Sequence, residues 1–213
     1  MESDDNKTQR PDIPKKAIYR ISIYHRCLRK MRDTGQETVS STTLAKAAGV
    51  TPSQLRKDLG YFGQFGTRGL GYPVAGLILT IRMALGRGHP QSVILVGAGN
   101  LGSALLRYQG FQKEGFKVVA AFDTEPESAR AKTLKIPVHG MEQIADFIAE
   151  KDVKIAILCV PASSAQDVAN QLVAAGIQGI LNFSATMLEV PEEVTVNHVD
   201  LAMELEHLGY FIR

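Results

Sequence analysis

The sequence predicts an α/β fold class: a small helical unit, then a parallel sheet covered by helices, with one more helix at the C-terminus. Three observations carry this. From residue 92 onward, short apolar runs of strand length alternate with amphipathic helical patterns, as in strands joined by crossover helices. A GxGxxG motif, Gly97-Ala98-Gly99-Asn100-Leu101-Gly102, stands where the first of those strands turns into a helix. Before residue 86 the chain holds instead a helix, a glycine turn and a second, polar helix in a basic background. The expected organisation is a disordered leader over 1–12, a winged helix-turn-helix unit over 13–85 and a linker over 86–91. A Rossmann-like domain over 92–199 and a C-terminal helix over 200–213 follow.

At 213 residues the chain is long enough for two small domains. It is 45% hydrophobic and 22% charged, as a soluble globular protein should be. No apolar run approaches the ~20 residues of a membrane span. The start, Met1-Glu2-Ser3-Asp4-Asp5, is polar and acidic, unlike a signal peptide. Cys27 and Cys159 each lie in an apolar pattern and are expected as buried free thiols, which suits a reducing cytoplasm. The net charge of +2 conceals a division. Residues 1–90 hold 15 Lys+Arg against 7 Asp+Glu, and residues 91–213 hold 9 against 15. Such asymmetry suggests that the first part meets a polyanion.

Taken in order, a helix is expected from Pro14, with Ile18, Ile21, Tyr24, Leu28 and Met31 on one stripe. Its other face carries Arg20, Arg26, Arg29, Lys30 and Arg32. Ser40 or Ser41 caps a short helix through Leu44 and Ala45, and Gly49 makes a tight turn. Thr51-Pro52-Ser53-Gln54 is a clear helix start: Thr51 as N-cap, Pro52 at the first position, Gln54 placed to complete a capping box. Leu55 and Leu59 then face inward and Ser53, Gln54, Arg56 and Lys57 outward. The pattern fits a helix-turn-helix, whose second helix enters the major groove, although an ordinary helical hairpin with a basic face has the same outline. The alternating glycines and aromatics of Phe62 to Tyr72 suit a β-ribbon wing, with Arg68 near its tip, able to enter an A·T-rich minor groove. A helix from Val74 to Leu85 closes the unit.

The second unit opens with Val93-Ile94-Leu95-Val96, an apolar run suited to a strand buried on both faces. In the motif, Gly97 permits the tight turn, Gly99 lets the backbone approach a pyrophosphate, and Gly102 lets helix and strand pack closely. The helix N-terminus offers N–H groups and a positive dipole to phosphates. A strand over 118–122 ends at Asp123, whose carboxylate can accept hydrogen bonds from both ribose hydroxyls and repels a 2′-phosphate. No Arg follows in Thr124-Glu125, so NAD(H) is expected over NADP(H). Further strands are expected at 136–138, 154–160, 179–183 and 195–199, with helices over 141–151 and after a cap at Ser163 or Ser164. The ligand should lie beyond the C-terminal strand ends, where the glycine loop, Asp123 and Val160-Pro161 fall. Leu201, Leu205 and Leu208 form an apolar stripe on the last helix, which either covers its own sheet or reaches into another subunit.

Catalytic machinery is not recognisable. His25, His89, His139, His198 and His207 have no metal-ligand spacing, and there is no GxSxG or GxxxxGK[ST]. The second domain that a dehydrogenase needs for substrate does not fit in the chain. The reading is a nucleotide site without turnover, and so no enzyme.

With these residues in place, the chain resembles the Rex family of redox-sensing repressors over nearly its whole length. The resemblance is carried by Gln54 to Leu59, Tyr61-Phe62-Gly63, Gly66 to Gly69, Gly71-Tyr72, Val96 to Gly102, Phe122-Asp123, Gly176 to Phe183 and Val199-Asp200. It implies a cytoplasmic homodimer that binds double-stranded operator DNA through two winged helices and senses the NADH/NAD+ ratio, NADH releasing the DNA. It also implies that the last helix is exchanged between subunits for dimerisation. A switchable network across subunits would correspond here to Arg26, Tyr108 and Asp200, with Tyr108 also near the cofactor. Leu201 stands where some relatives carry an aromatic. No metal is implied. The competing readings are a small NAD-dependent oxidoreductase and a repressor that senses another nucleotide such as CoA.

Overall fold

The computed structural model describes residues 13–63, 65, 71–86, 88–128 and 131–212. The leader over 1–12 and the wing tip with Arg68 lie outside these residues. The chain divides into two compact units, one through His89 and the other from Pro90.

In the first unit, α1 (Lys15–Asp33) turns Ala17, Ile21, Tyr24 and Leu28 inward, at the spacing of one helical stripe. Ser40, not Ser41, caps α2 (Ser41–Ala47): its hydroxyl accepts from the Thr43 N–H. Gly49 makes the turn at φ +69, and Thr51 caps α3 (Pro52–Gly60) by accepting from the Gln54 N–H. The expected capping box is only half made, because the Gln54 side chain turns instead to Asp58. A two-residue pair that sequence did not indicate joins β1 (Thr38–Val39) to β2 (Tyr72–Pro73), antiparallel. It ties the chain from residue 71 onward to the start of α2, and Gly71 is needed there. At φ +78, an added Cβ would meet the Val39 carbonyl oxygen. Helix α4 (Val74–Ala84) packs on α1 through Leu77, Ile78 and Ile81.

The second unit is a six-stranded, wholly parallel sheet. Its strands are β3 (Gln91–Val96), β4 (Phe116–Asp123), β5 (Val138–Gly140), β6 (Ile155–Leu158), β7 (Gly179–Asn182) and β8 (Thr195–His198), in the order β5-β4-β3-β6-β7-β8. Residues alternate between faces. Ile94, Val96, Phe122 and Leu158 pack beneath α7 (Ile144–Lys151) and α8 (Ala162–Ala174). Val93, Leu95 and Ile157 face the side of α5 (Asn100–Leu106) and α6 (Gly110–Lys113), the latter unforeseen. Each fully buried large apolar side chain contributes roughly 1.5–3 kcal/mol.

Several boundaries differ from expectation. β5 starts at Val138 rather than Ile136, since Pro137 has no N–H to donate and joins only by accepting from the Ala121 N–H. Helix α8 starts straight after Pro161, which is its N-cap, so Ser163 and Ser164 lie inside the first turn and cap nothing. The stretch 141–143 is a 3-10 turn before α7. Cys27 and Cys159 are free but only half-buried, not buried; burial pushes both thiols up, that of Cys159 to about 12. The last helix, α9 (Leu201–Phe211), buries none of its residues and so does not cover its own sheet. Among the described residues no helix is long and apolar enough to cross a membrane.

Candidate functional site

The glycine loop sits where the sheet order changes direction, between β3 and β6. Gly97 adopts φ +94, and an added Cβ would lie 2.6 Å from the Cys159 carbonyl oxygen and 3.1 Å from Val160 Cγ1. The turn therefore requires glycine twice over, for its backbone angle and for its contact with the next strand end. Gly102 is held to glycine by the Gly97 carbonyl directly above it. Gly99, the N-cap of α5, has an ordinary φ of −61, so nothing in its backbone angle demands glycine. The first turn of α5 has no intrahelical acceptors for its N–H groups. Asn100 and Leu101 open that turn and are exposed.

Asp123 ends β4 beside the loop. One carboxylate oxygen accepts from the Ala98 N–H at 2.6 Å and the other from the Glu125 N–H at 2.9 Å. Oδ1 also takes a long contact from the Thr124 hydroxyl at 3.5 Å, so Oδ2 keeps a lone pair for a ligand hydroxyl and Oδ1 gains one if Thr124 turns away. β6 ends at Leu158, short of the expected 160, so Val160 and Pro161 lie just past it, Val160 beside the turn at Gly97.

The strand order also brings in residues that sequence did not single out. Ser184 donates from its hydroxyl to the Val160 carbonyl oxygen at 2.7 Å, and its N–H donates to Asn182 Oδ1 at 2.8 Å. The Asn182 amide in turn donates to the Thr186 carbonyl oxygen at 2.9 Å and to His198 Nδ1 at 3.0 Å. This network holds Phe183 and Ala185 at the wall of a small cavity of about 170 Å³ that Leu101, Val199, Asp200, Leu201 and Ala202 complete. The signal was present: Asn182 is a fully buried amide at the end of an otherwise apolar strand.

Of the expected switch residues, Asp200 caps α9, accepting from the Ala202 and Met203 N–H groups at 2.9 and 3.2 Å. Tyr108 follows α5, exposed, with its ring edge-on to Phe111 at 5.2 Å. No hydrogen bond joins Tyr108 to Asp200 among the described residues. Arg26 lies exposed on α1, in the other unit.

In the first unit, Ser53, Arg56 and Lys57 are exposed on α3, whereas Gln54 is half-buried. Arg56 Nη1 donates to Ser41 Oγ at 3.1 Å, which ties the two helices of the turn. Arg20, expected on the solvated face of α1, instead turns in to Asp58. Asp58 is 0% exposed, on the inward stripe between Leu55 and Leu59. Burial alone would raise its carboxyl, but hydrogen bonds from Arg20, Tyr24 and Gln54 hold it below the usual carboxylate value. Tyr24 is pushed upward by the same burial and by Asp58.

A helix-turn-helix unit joined to a glycine-loop nucleotide domain defines a class, the ligand-responsive DNA-binding regulators. Residues 12–60 match the family model described as a putative DNA-binding protein N-terminus, and residues 89–186 match that of a CoA binding domain. The redox-sensing transcriptional repressor Rex of Carboxydothermus hydrogenoformans is 45% identical over 94% of this chain and 97% of its own. That of Syntrophobacter fumaroxidans is 43% identical over 94% and 96%. The crystal structure of RSP in complex with β-NAD+ and operator DNA superposes with a TM-score of 0.85, at 36% identity, covering 94% of this chain and 92% of that one. RSP in complex with β-NADH gives 0.83 at 35% identity, covering 94% of each chain. The chain belongs to the Rex family of redox-sensing transcriptional repressors.

Proposed function

We propose that this chain is a homodimeric repressor that binds operator DNA with its first unit and NAD(H) with its second, NADH lowering the affinity for DNA. The observation that carries the reading is the glycine loop at the β3–β6 junction with Asp123 hydrogen-bonded to it, in a chain that also presents a capped, basic α3. Gly97 to Gly102 would hold the pyrophosphate, with Val160 and Pro161 on its flank. Asp123 would hold the adenosine ribose. The cavity beside Leu101 and Asp200 would receive the nicotinamide end, and Arg26, Tyr108 and Asp200 would form the responding network across subunits. Ser53, Gln54, Arg56 and Lys57 would face the major groove and Arg68 the minor groove.

The chemistry of the response lies in the ring. NAD+ presents a flat cation and NADH a neutral, puckered ring, so a site formed between subunits can favour two relative orientations. DNA binding senses this because half-sites lie in fixed helical register. Helix α9 supplies the dimer: its apolar stripe is uncovered, and among the described residues no helix lies between β7 and β8 to cover the groove of about 280 Å³ on the sheet face of Val93, Ile155 and Leu181. The protein acts in the cytoplasm as a regulator and turns over no substrate.

A second reading, with CoA as ligand, is favoured by the CoA-binding family match. Titration of the full-length protein with NADH, NADPH and CoA, each with and without duplex DNA, separates them. The expected result is tight NADH binding that weakens when DNA is bound. Preference for CoA, or equal affinity for NADH and NADPH, would overturn the assignment.

A further inference from the structure

The carboxylate of Asp58 is wholly buried, and its two oxygens accept four hydrogen bonds. Oδ2 takes Arg20 Nε at 2.6 Å and the Tyr24 hydroxyl at 2.7 Å; Oδ1 takes Arg20 Nη2 at 2.7 Å and Gln54 Nε2 at 2.9 Å. The bidentate fork from Arg20 prevents the carboxylate from rotating. An ionised carboxylate offers acceptors only, so it decides which end of the Gln54 amide faces it: nitrogen inward, carbonyl oxygen away. Gln54 is the third residue of α3, in the turn of a recognition helix that meets base edges.

We propose that Asp58 is a positioning residue for base recognition: by gripping the Gln54 amide nitrogen it makes the carbonyl oxygen the group that α3 presents, so that Gln54 selects adenine. The inference rests on the reading of the first unit as DNA-binding. An outward carbonyl oxygen suits a base that donates in the major groove, adenine N6 or cytosine N4, and is repelled by guanine O6 and thymine O4. The Gln54 nitrogen keeps a second hydrogen. Adenine, which sets its N7 acceptor beside N6, can use that hydrogen; cytosine cannot. A Gln side chain without this grip is free to turn over and present its nitrogen to guanine or thymine.

The test is selection from a randomised duplex library by the full-length protein, with the bound sequences read out. Wild type should enrich a two-fold motif with an adenine preference on the order of tenfold at one position per half-site. Failure to enrich any sequence would overturn the DNA-binding reading itself, and this proposal with it. Gln54→Met removes the reader and one of the four bonds to Asp58 but leaves the Arg20 fork in place, and should reduce that preference to about twofold or less while leaving other positions unchanged. Asp58→Asn should relax the same position, and the double variant should do no more than either single. If Asp58→Asn weakens binding to all sequences equally and keeps the adenine preference, the residue is merely structural and the proposal fails. Arg20→Lys keeps the charge but not the fork, and should loosen the same position should Asp58→Asn not fold. An unchanged motif in Gln54→Met overturns the proposal whatever the other variants do.

Discussion

Asp58 shows how one side chain sets both stability and titration. Its partner Arg20 can be removed but its burial cannot, so Arg20→Ala should cost about 3–5 kcal/mol, the penalty for an uncompensated buried carboxylate. Tyr24→Phe, which removes one of four bonds, should cost about 1–2 kcal/mol. Both are checked by urea denaturation. The pH sign follows from the depressed carboxyl. A group whose folded value lies below its unfolded one stabilises fully above the unfolded value, near 4, and loses this as pH falls through the folded value. The first unit should therefore weaken below about pH 4, and Asp58→Asn should flatten that limb of the stability curve. In the second unit the glycines separate fold from function. Gly97→Ala meets both a positive φ and the Cys159 carbonyl, and should cost about 1–3 kcal/mol, read as a lowered melting temperature. Gly99→Ala strains nothing in its backbone angle. It should keep its melting temperature and fail to bind NADH, because on the proposed reading the methyl would stand in the pyrophosphate's approach. Asp123→Ala should weaken NADH and narrow the gap from NADPH, seen by fluorescence titration.

Among the elements, α9 carries the clearest consequence. Leu205 is 69% and Leu208 59% exposed, an apolar face that a lone chain leaves in water. Leu205→Glu with Leu208→Glu should turn the dimer into a monomer by light scattering. It should also weaken operator binding by a large factor, since two linked half-site contacts become independent. A variant that stays dimeric would place the interface elsewhere. For α3 the cap is the exposed weak point: Thr51→Ala should cost about 1 kcal/mol. This helix was legible in detail because Thr51, Pro52, Leu55 and Leu59 each act on neighbours within one turn. The pair β1–β2 was not, because two-residue strands have no period to read and their partners lie more than thirty residues apart.

For the whole molecule the quantity that matters is the coupling between nucleotide and DNA. Linkage requires that if NADH lowers DNA affinity by some factor, DNA lowers NADH affinity by the same factor. Typical couplings of about 1–3 kcal/mol correspond to roughly 5–150-fold, within reach of paired titrations. Asp200 is both a helix cap and the expected switch residue, and two substitutions separate these roles. Asp200→Asn keeps a good cap and loses the charge; Asp200→Ala loses both. If the charge carries the signal, both variants bind NADH and neither releases DNA at the wild-type NADH concentration. If only the cap matters, Asp200→Asn behaves as wild type.

The sequence by itself determined the two-unit order, the parallel sheet, the glycine loop with its acid, and the capped helix α3. Each of these is set by local needs: a strand's alternation, a helix's stripe, a turn that only Gly97 can make, a terminus that Thr51 caps. The tertiary structure alone decided which distant groups meet. It drew Arg20 from the solvated face to Asp58 across 38 residues and with it turned Gln54 away from its capping box. It also set Ser184 on the Val160 carbonyl and brought Leu101, Asp200 and Leu201 around one cavity. It left α9 without cover in its own chain. A buried charge takes whatever partner the packing brings within reach, and strand order rather than sequence distance sets which loops are neighbours, so neither could be read along the chain.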